Sequence, residues 1–233
     1  MTGNAHFSNT MKNLFARIAD KYDTMNRIMS LGLDCLWRRS ALKYIELPEG
    51  CKILDLACGT GDFTIELARR WPNAEIIGVD LTPEMLDIAH VKLSEAHNVT
   101  YLTGDAQNLS TLEAKQFSLV VCAFGFRNFP DKAKALSECH RLLADGGRLV
   151  VLELFRPTSR IIGTLVNIWL TVVSRIFASG ASTEYRYLRR SVANTVTAAD
   201  FIATARDCGF ALCRSSFFLP AATCITLKKE QHA

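Results

Sequence analysis

Ile53-Leu54-Asp55-Leu56-Ala57-Cys58-Gly59-Thr60-Gly61-Asp62, followed by Ile76-Ile77-Gly78-Val79-Asp80, decides the fold of this chain. An apolar run breaks into small residues, a helical pattern follows, and a second buried run ends in a carboxylate. Small residues let backbone approach a ligand closely, and an acid about 20 residues beyond the turn can accept both hydrogens of a ribose diol. The pattern predicts a nucleotide-type cofactor site with Asp80 at the sugar. A dinucleotide fingerprint wants three spaced glycines; with Gly59 and Gly61 as the first two, the third position is Thr64, so that fingerprint is incomplete.

From Lys52 onward, short apolar strands alternate with amphipathic helical stretches, the signature of a parallel sheet covered on both faces. Strands are expected at Lys52 to Ala57, Glu75 to Asp80, Val99 to Thr103, Phe117 to Ala123 and Gly147 to Leu154. Helices are expected at Asp62 to Arg70, at Glu84 to Ala96 with Thr82 as cap and Pro83 opening it, and at Asp131 to Leu143. Thr197 to Gly209 and Ala211 to Leu227 read as one more helix and two strands, suited to an antiparallel end of the sheet. Helical character at Met11 to Ala19 and Cys35 to Ile45 suits a cap over the cofactor mouth, covering residues 1 to about 47.

The 233 residues fit one domain, and a composition that is 49% hydrophobic can bury a full core without metals or disulfides. A formal charge of +4, with its basic residues spread out, gives no nucleic-acid footprint. Eight cysteines without a CxxC pair read as free thiols, with Cys51, Cys58, Cys122, Cys139 and Cys224 in or beside apolar segments; no metal site is expected. No export signal is apparent ahead of Met11, so a cytoplasmic setting is expected. Ile161 to Ala178 is nearly all apolar but broken by Asn167 and Arg175, short of the roughly 20 apolar residues of a membrane span. It reads as part of a lid insertion, about 157 to 190, that either packs into the domain or meets a bilayer surface or a lipid tail.

Ligands of open parallel sheets bind beyond the carboxyl ends of the strands. Asp105-Ala106 follows the third strand, where it can read an adenine ring or form a plain Asx turn. Arg127 and Asn128, set among aromatics after the fourth strand, can bind a ligand, and Arg127 can equally pair with a carboxylate for structure alone. Glu153 is the obvious such carboxylate, or a base. Tyr22, Asp23 and Asn26 fall on adjacent helical or turn positions.

The arrangement Asp55, Ala57, Gly59, Gly61 resembles the first motif of class I methyltransferases dependent on S-adenosylmethionine. The run from Phe15 to Asn26, with Met29-Ser30-Leu31-Gly32 and Leu36-Trp37-Arg38-Arg39, looks like the opening of the quinone-biosynthesis C-methyltransferases. So do Phe124-Gly125-Phe126-Arg127-Asn128, Gly146-Gly147-Arg148 through Leu152-Glu153, and Tyr185-Arg186-Tyr187-Leu188, in the family's order from about Phe15 to Gly209. The resemblance implies a Rossmann-like α/β fold with a mostly parallel seven-stranded sheet, helices on both faces and an antiparallel C-terminal strand. It implies S-adenosylmethionine as cofactor, held by Asp55, Gly59, Thr60, Gly61, Asp80, Leu81, Asp105, Ala106 and Ala123, the last where many members carry serine. It also implies methylation of a polyprenyl quinol, menaquinone or ubiquinone precursor, with demethylmenaquinol first, and catalytic roles among Tyr22, Asp23, Arg127, Asn128 and Glu153. Peripheral contact at the inner membrane face and a homodimer are further options it leaves open.

Two departures touch the acceptor. Asp34-Cys35 replaces a histidine and a basic residue, and Pro220 to Lys228 lacks the usual glycine, histidine and glycine. They keep open a methyltransferase for another small apolar or lipid acceptor. A non-catalytic cofactor-binding subunit of a quinone-biosynthesis complex and a nicotinamide dehydrogenase are the remaining rivals.

Overall fold

Strand β1, Lys52–Leu56, has its side chains buried on both faces because helices cover both sides of it, which is why it reads as a continuous apolar run. The computed structural model describes residues 2–176 and 190–230. Within them, β2 (Glu75–Asp80), β3 (Val99–Thr103), β4 (Phe117–Ala123), β5 (Leu143–Glu153), β6 (Phe210–Phe218) and β7 (Ala222–Lys229) join β1 in one seven-stranded sheet of order β3-β2-β1-β4-β5-β7-β6. The pairs β1–β2, β1–β4, β2–β3 and β4–β5 are parallel, while β7 runs antiparallel to both β5 and β6. The sequence order reverses between β1 and β4, and the crevice outside their carboxyl ends is the ligand position of such sheets.

Alternation along the strands sorts the core into two layers. Leu54, Leu56, Val120, Leu149 and Val151 pack to one side, under helices α5 (Lys132–Leu142) and α7 (Ala198–Asp207). Ile53, Leu119, Val121, Val150 and Leu152 pack to the other, under α2 (Leu33–Leu42) and α3 (Asp62–Arg70). The cysteines expected in apolar segments, Cys51, Cys58, Cys122, Cys139 and Cys224, are buried free thiols. Helix α7 opens with a capping box, Thr197 accepting from the Asp200 N–H and Asp200 accepting from the Thr197 N–H, and Asp131 caps α5 by accepting from the Lys134 N–H.

Several boundaries differ from those expected. Helix α1 runs from Thr2 to Ser30, far longer than Met11 to Ala19, and carries Tyr22, Asp23 and Asn26 on regular helix. Helix α4 is Pro83–Lys92; Thr82 stands at its cap without a capping bond, because its hydroxyl bonds back to Asp80. Strand β5 begins at Leu143, before the glycines, with a register irregularity against β4 between Phe117 and Leu119. Helix α6, Arg160–Ile176, covers most of the apolar stretch; the rest of it and Tyr185 to Leu188 lie outside the described residues.

Gly78, in the middle of β2, is required by a close approach. The Tyr101 ring from β3 lies across it, so that a Cβ at residue 78 would sit 2.6 Å from Tyr101 Cδ1 and 3.1 Å from Cys58 Sγ. Gly78→Ala is expected to cost about 1–3 kcal/mol through overpacking. Urea unfolding reads this directly, and an unchanged midpoint means the ring yields without penalty.

Candidate functional site

The turn after β1 has a strained backbone. Ala57 takes φ +55°, Gly59 +56° and Gly61 +83°, left-handed conformations that Gly adopts at no cost and Ala does not. Phe124, at the end of the neighbouring β4, is likewise at φ +59°. The two turns press together at Gly125, where a Cβ would stand 2.8 Å from Ala57 Cβ and 2.7 Å from Cys122 Sγ. The glycine of the Phe124-Gly125-Phe126-Arg127-Asn128 block therefore permits contact between two strand ends, and the block continues as a short 3-10 turn, Phe126–Asn128.

Asp80 ties the ends of β1 and β2 together. Its Oδ2 accepts from the Gly59 N–H at 2.9 Å, and its Oδ1 accepts from the Thr82 N–H at 2.9 Å. Burial pushes the Asp80 carboxyl above its ordinary range, and these bonds oppose the shift. Beside it opens a cleft of about 730 Å³. Gly59, Asp80, Leu81, Asp105, Ala106 and Ala123 all line that cleft. Asp105 also forms the Asx turn, its Oδ1 accepting from the Gln107 N–H at 2.9 Å. Met11, Phe15 and Tyr22 of α1 close the other wall.

Asp55, Thr60 and Gly61 do not line the cleft. They sit beneath its turn as supports. The Thr64 hydroxyl donates to Asp55 Oδ2 at 2.6 Å, so the residue that breaks the dinucleotide fingerprint anchors α3 to β1. The Gly61 N–H donates to the Cys58 carbonyl at 3.0 Å and opens α3. The Thr60 hydroxyl donates to Asp23 Oδ1, while Asp23 Oδ2 meets Lys92 Nζ at 2.5 Å. Asp23 thus joins an ion network rather than the cleft, one that continues through Lys92 to Asp62 at 2.9 Å.

A second chamber of about 530 Å³ shares Phe124 as a wall with the first, and is lined among others by Asn26, Arg127, Trp37, Leu154, Trp169 and Pro220. Tyr22 and Asn26, one turn apart on α1, face different chambers but hydrogen-bond to each other. Burial pushes the Tyr22 hydroxyl up, opposed by the Arg127 charge and the bond from Asn26, so Tyr22 stays protonated at neutral pH. Arg127 faces the second chamber and Asn128 the first. Glu153, fully buried, holds Arg127 by two bonds, accepting from its N–H at 3.0 Å and from Nη1 at 2.8 Å, and accepts a third from the Leu154 N–H at 2.7 Å. Arg127 Nη1 also donates to the Phe124 carbonyl at 2.5 Å. The pairing anticipated for Arg127 and Glu153 is present, and it fixes the guanidinium at the chamber wall.

A residue-by-residue match to the ubiE/COQ5 methyltransferase family runs over residues 4–226. The chain belongs to that family. The methyltransferase is 39% identical over 214 residues to the demethylmenaquinone methyltransferase of Thermotoga maritima, covering 90% of this chain and 91% of that protein. It is 43% identical over 186 residues to the protein of the same name from Deinococcus radiodurans, covering 78% and 77%, and 37% identical to the ubiquinone/menaquinone biosynthesis C-methyltransferase UbiE of Syntrophotalea carbinolica, covering 84% of each. Among solved structures, a SAM-dependent methyltransferase of Aquifex aeolicus superposes with TM-score 0.65 at 16% identity over 88% of this chain and 97% of that one. A SAM-dependent methyltransferase of Thermotoga maritima does so at 0.65 and 21% over 94% and 100%. These establish the class I methyltransferase fold.

Sequence reasoning missed Thr64, Gln107, Lys92 and Trp169. Thr64 is a short polar residue inside an apolar stretch, a signal for a buried partner; Gln107, Lys92 and Trp169 act across the fold and leave no local signal.

The Asp55 carboxyl, buried with Oδ1 lacking a partner, is pushed up to about 7 from 3.8. The folded protein then holds a proton that the unfolded chain has released, so stability falls as pH rises from about 4 to 7. Asp55→Asn keeps an acceptor for Thr64 and removes that proton. Chemical unfolding across this pH range is expected to show a flatter stability profile for the variant, and parallel profiles would remove Asp55 as its source.

Proposed function

We propose that this methyltransferase uses S-adenosylmethionine to methylate a ring carbon of a polyprenyl quinol, demethylmenaquinol first among the candidates. The single observation that carries the reading is the pair of adjoining chambers, a polar-floored cleft at Asp80 and an apolar one with Arg127 in its wall. The first fits the cofactor: Asp80 is oriented by two backbone donors with acceptor capacity left for a sugar diol, Asp105 and Ala106 flank an adenine position, and apolar side chains form the rest. When bound, the cofactor supplies an electrophilic methyl on a sulfonium, already a good leaving group.

The residues of this chain then have to bind, orient and manage protons. Trp37, Leu154 and Trp169 give the second chamber an aromatic and aliphatic lining for a quinol ring. A quinol carbon becomes nucleophilic as its neighbouring hydroxyl releases its proton to solvent; after the methyl bonds, the hydrogen on that carbon leaves to solvent as the ring regains aromaticity, and Arg127, rigidly held by Glu153, stabilises the oxyanion in between. Tyr22 and Asn128 orient from the cofactor side, and Asn26 links Tyr22 to the substrate chamber. Asp23 positions the cap by holding Thr60, and Glu153 positions Arg127. Residues 2 to about 47 serve as a cap and α6 as a lid; residues 177–189 of the expected lid insertion lie outside the described residues.

The lid also meets the membrane in which such a substrate resides, at its cytoplasmic face. Helix α6 turns Val166 inward, and Trp169 Nε1 donates to the Met29 carbonyl at 3.0 Å. Leu165, Ile168 and Val172, spaced on one side of α6, are 60%, 54% and 46% exposed. An apolar stripe of this kind suits a bilayer interface. No helix among the described residues is long and apolar enough to cross a membrane.

Arg127→Ala alone would leave the Glu153 carboxylate buried and uncompensated, at about 3–5 kcal/mol. The neutral pair Arg127→Gln/Glu153→Gln avoids this. It is expected to bind S-adenosylmethionine as the parent does by calorimetry while methylating demethylmenaquinol about 10²–10³-fold more slowly; equal turnover removes the guanidinium from the mechanism. Replacing Leu165, Ile168 and Val172 together by serine is expected to weaken flotation with neutral phosphatidylcholine vesicles by about tenfold or more, and unchanged flotation makes α6 a structural lid only.

A further inference from the structure

Tyr44, just past the end of α2, gathers three cations. The Arg214 guanidinium stacks on its ring at 4.0 Å, Lys43 Nζ lies 5.4 Å from the ring centre, and Arg148 Nη1 donates to its backbone carbonyl at 3.3 Å. All three basic residues line one open groove of about 1120 Å³ between α2 and the outer face of the β5–β7–β6 edge, together with Ser40, Ser216 and Thr226. No carboxylate lines it. This groove shares no lining residue with the two chambers of the candidate site.

The strand geometry places these charges. A register irregularity in β6 between Leu212 and Arg214 sets Arg214, not Cys213, opposite Thr226, and Ser216 then lies opposite Cys224. Thr226 and Cys224 both line the groove, so the bulge brings Arg214 to the groove side. Two like charges at one ring and a third at the same residue's carbonyl repel, and only part of that repulsion is relieved by the ring's face and the carbonyl. An anion with several acceptor oxygens, a phosphate group above all, relieves the rest and matches the guanidinium forks.

The rim of the groove selects among phosphate-bearing molecules. Leu36, one turn before Ser40 on the same side of α2, is 54% exposed, and Leu219, next to the groove residue Phe218, is 75% exposed. Pro220 and Ala221 of the same hairpin line the second chamber, so the apolar rim continues toward the substrate entrance. We infer that the groove around Tyr44 binds the phosphate headgroup of an anionic phospholipid, through Lys43, Arg148 and Arg214, and holds the chamber entrance against the bilayer. This rests on the membrane contact proposed above and adds to it a lipid preference that the apolar stripe of α6 cannot give.

The test is vesicle co-sedimentation of the full protein at low salt, with phosphatidylcholine alone and with phosphatidylcholine mixed with phosphatidylglycerol. The parent is expected to bind the mixed vesicles far more tightly. Lys43→Gln/Arg214→Gln, two exposed positions outside the core, is expected to lose about 25-fold of that preference, at about fivefold per basic residue near an anionic surface. The same variant should keep its binding to neutral vesicles, its affinity for S-adenosylmethionine and its turnover of a tail-less quinol analogue, which separates this reading from that of the active site. Arg148→Gln serves as a second, independent variant. Equal binding of the parent to both vesicle types, or full retention of the preference by both variants, overturns the inference. So does calorimetric binding of inorganic phosphate that Lys43→Gln/Arg214→Gln abolishes, when the parent shows no preference between the two vesicle types, which makes the groove a site for free phosphate.

Discussion

The hydrogen bond from the Gly59 N–H to Asp80 holds the site together, because it joins the carboxyl ends of two adjacent strands through a single carboxylate. A carboxylate in this position is costly to bury, and burial pushes the Asp80 carboxyl above its ordinary range. Two backbone donors, from Gly59 and Thr82, offset it without a basic partner. An arginine at this point would neutralise the acid and fill the cleft. Backbone donors instead leave the charge, and part of its acceptor capacity, turned toward a neutral diol.

The same logic runs in the opposite direction one strand further along. Arg127 and Glu153 form a buried pair, 8% and 1% exposed as side chains, where desolvation is large and geometry decides whether the pair is tolerated. Glu153 receives three N–H donors, which leaves few unmet bonds on the acid. The guanidinium has a fixed place in a weakly screened wall. Asp80 thus lines one chamber and Arg127, together with Asp34, the next, with Phe124 between them.

What the sequence made legible was whatever is encoded locally. Apolar runs gave the strands, and the small residues of the β1 turn with the acid ending β2 gave the cleft, because strand ends converge wherever the sheet is parallel. Helix α1 was underestimated because its first half is polar all round, with Asn4, His6, Ser8 and Asn9 hiding the period. Less legible still was the division of labour among turn residues. Asp55, Thr60 and Gly59 look equivalent in a motif, yet only Gly59 lines the cleft, since Thr60 pairs with Asp23 across 37 residues and Asp55 with Thr64 behind the turn. Such partners depend on how α1 crosses the sheet, and no spacing along the chain encodes that crossing.

That crossing also explains how a cleft walled by Met11, Phe15 and Tyr22 can admit a ligand. The contacts between α1 and the body of the fold include ion pairs in series: Asp23 to Lys92, Lys92 to Asp62, Asp62 to Arg27, and Arg27 to Asp34. Arg27 is 42% exposed, Asp23 33% and Lys92 23%, so water competes for each. Pairs of this exposure contribute on the order of 0–1 kcal/mol each. Only Asp34 with Arg38, 3% and 7% exposed, is deeply buried, and it lies within α2 rather than across the opening. The apolar part of the contact has two small centres, Ile18 and Ala19 against Met85, and Met25, Ile28 and Met29 against Trp169 of α6. Exposed charges and two small apolar clusters hold α1 over the cleft, whereas the Asp80 clamp beneath it rests on the Gly59 and Thr82 backbone donors and, among the described residues, makes no bond to α1, so a movement of α1 leaves the clamp closed.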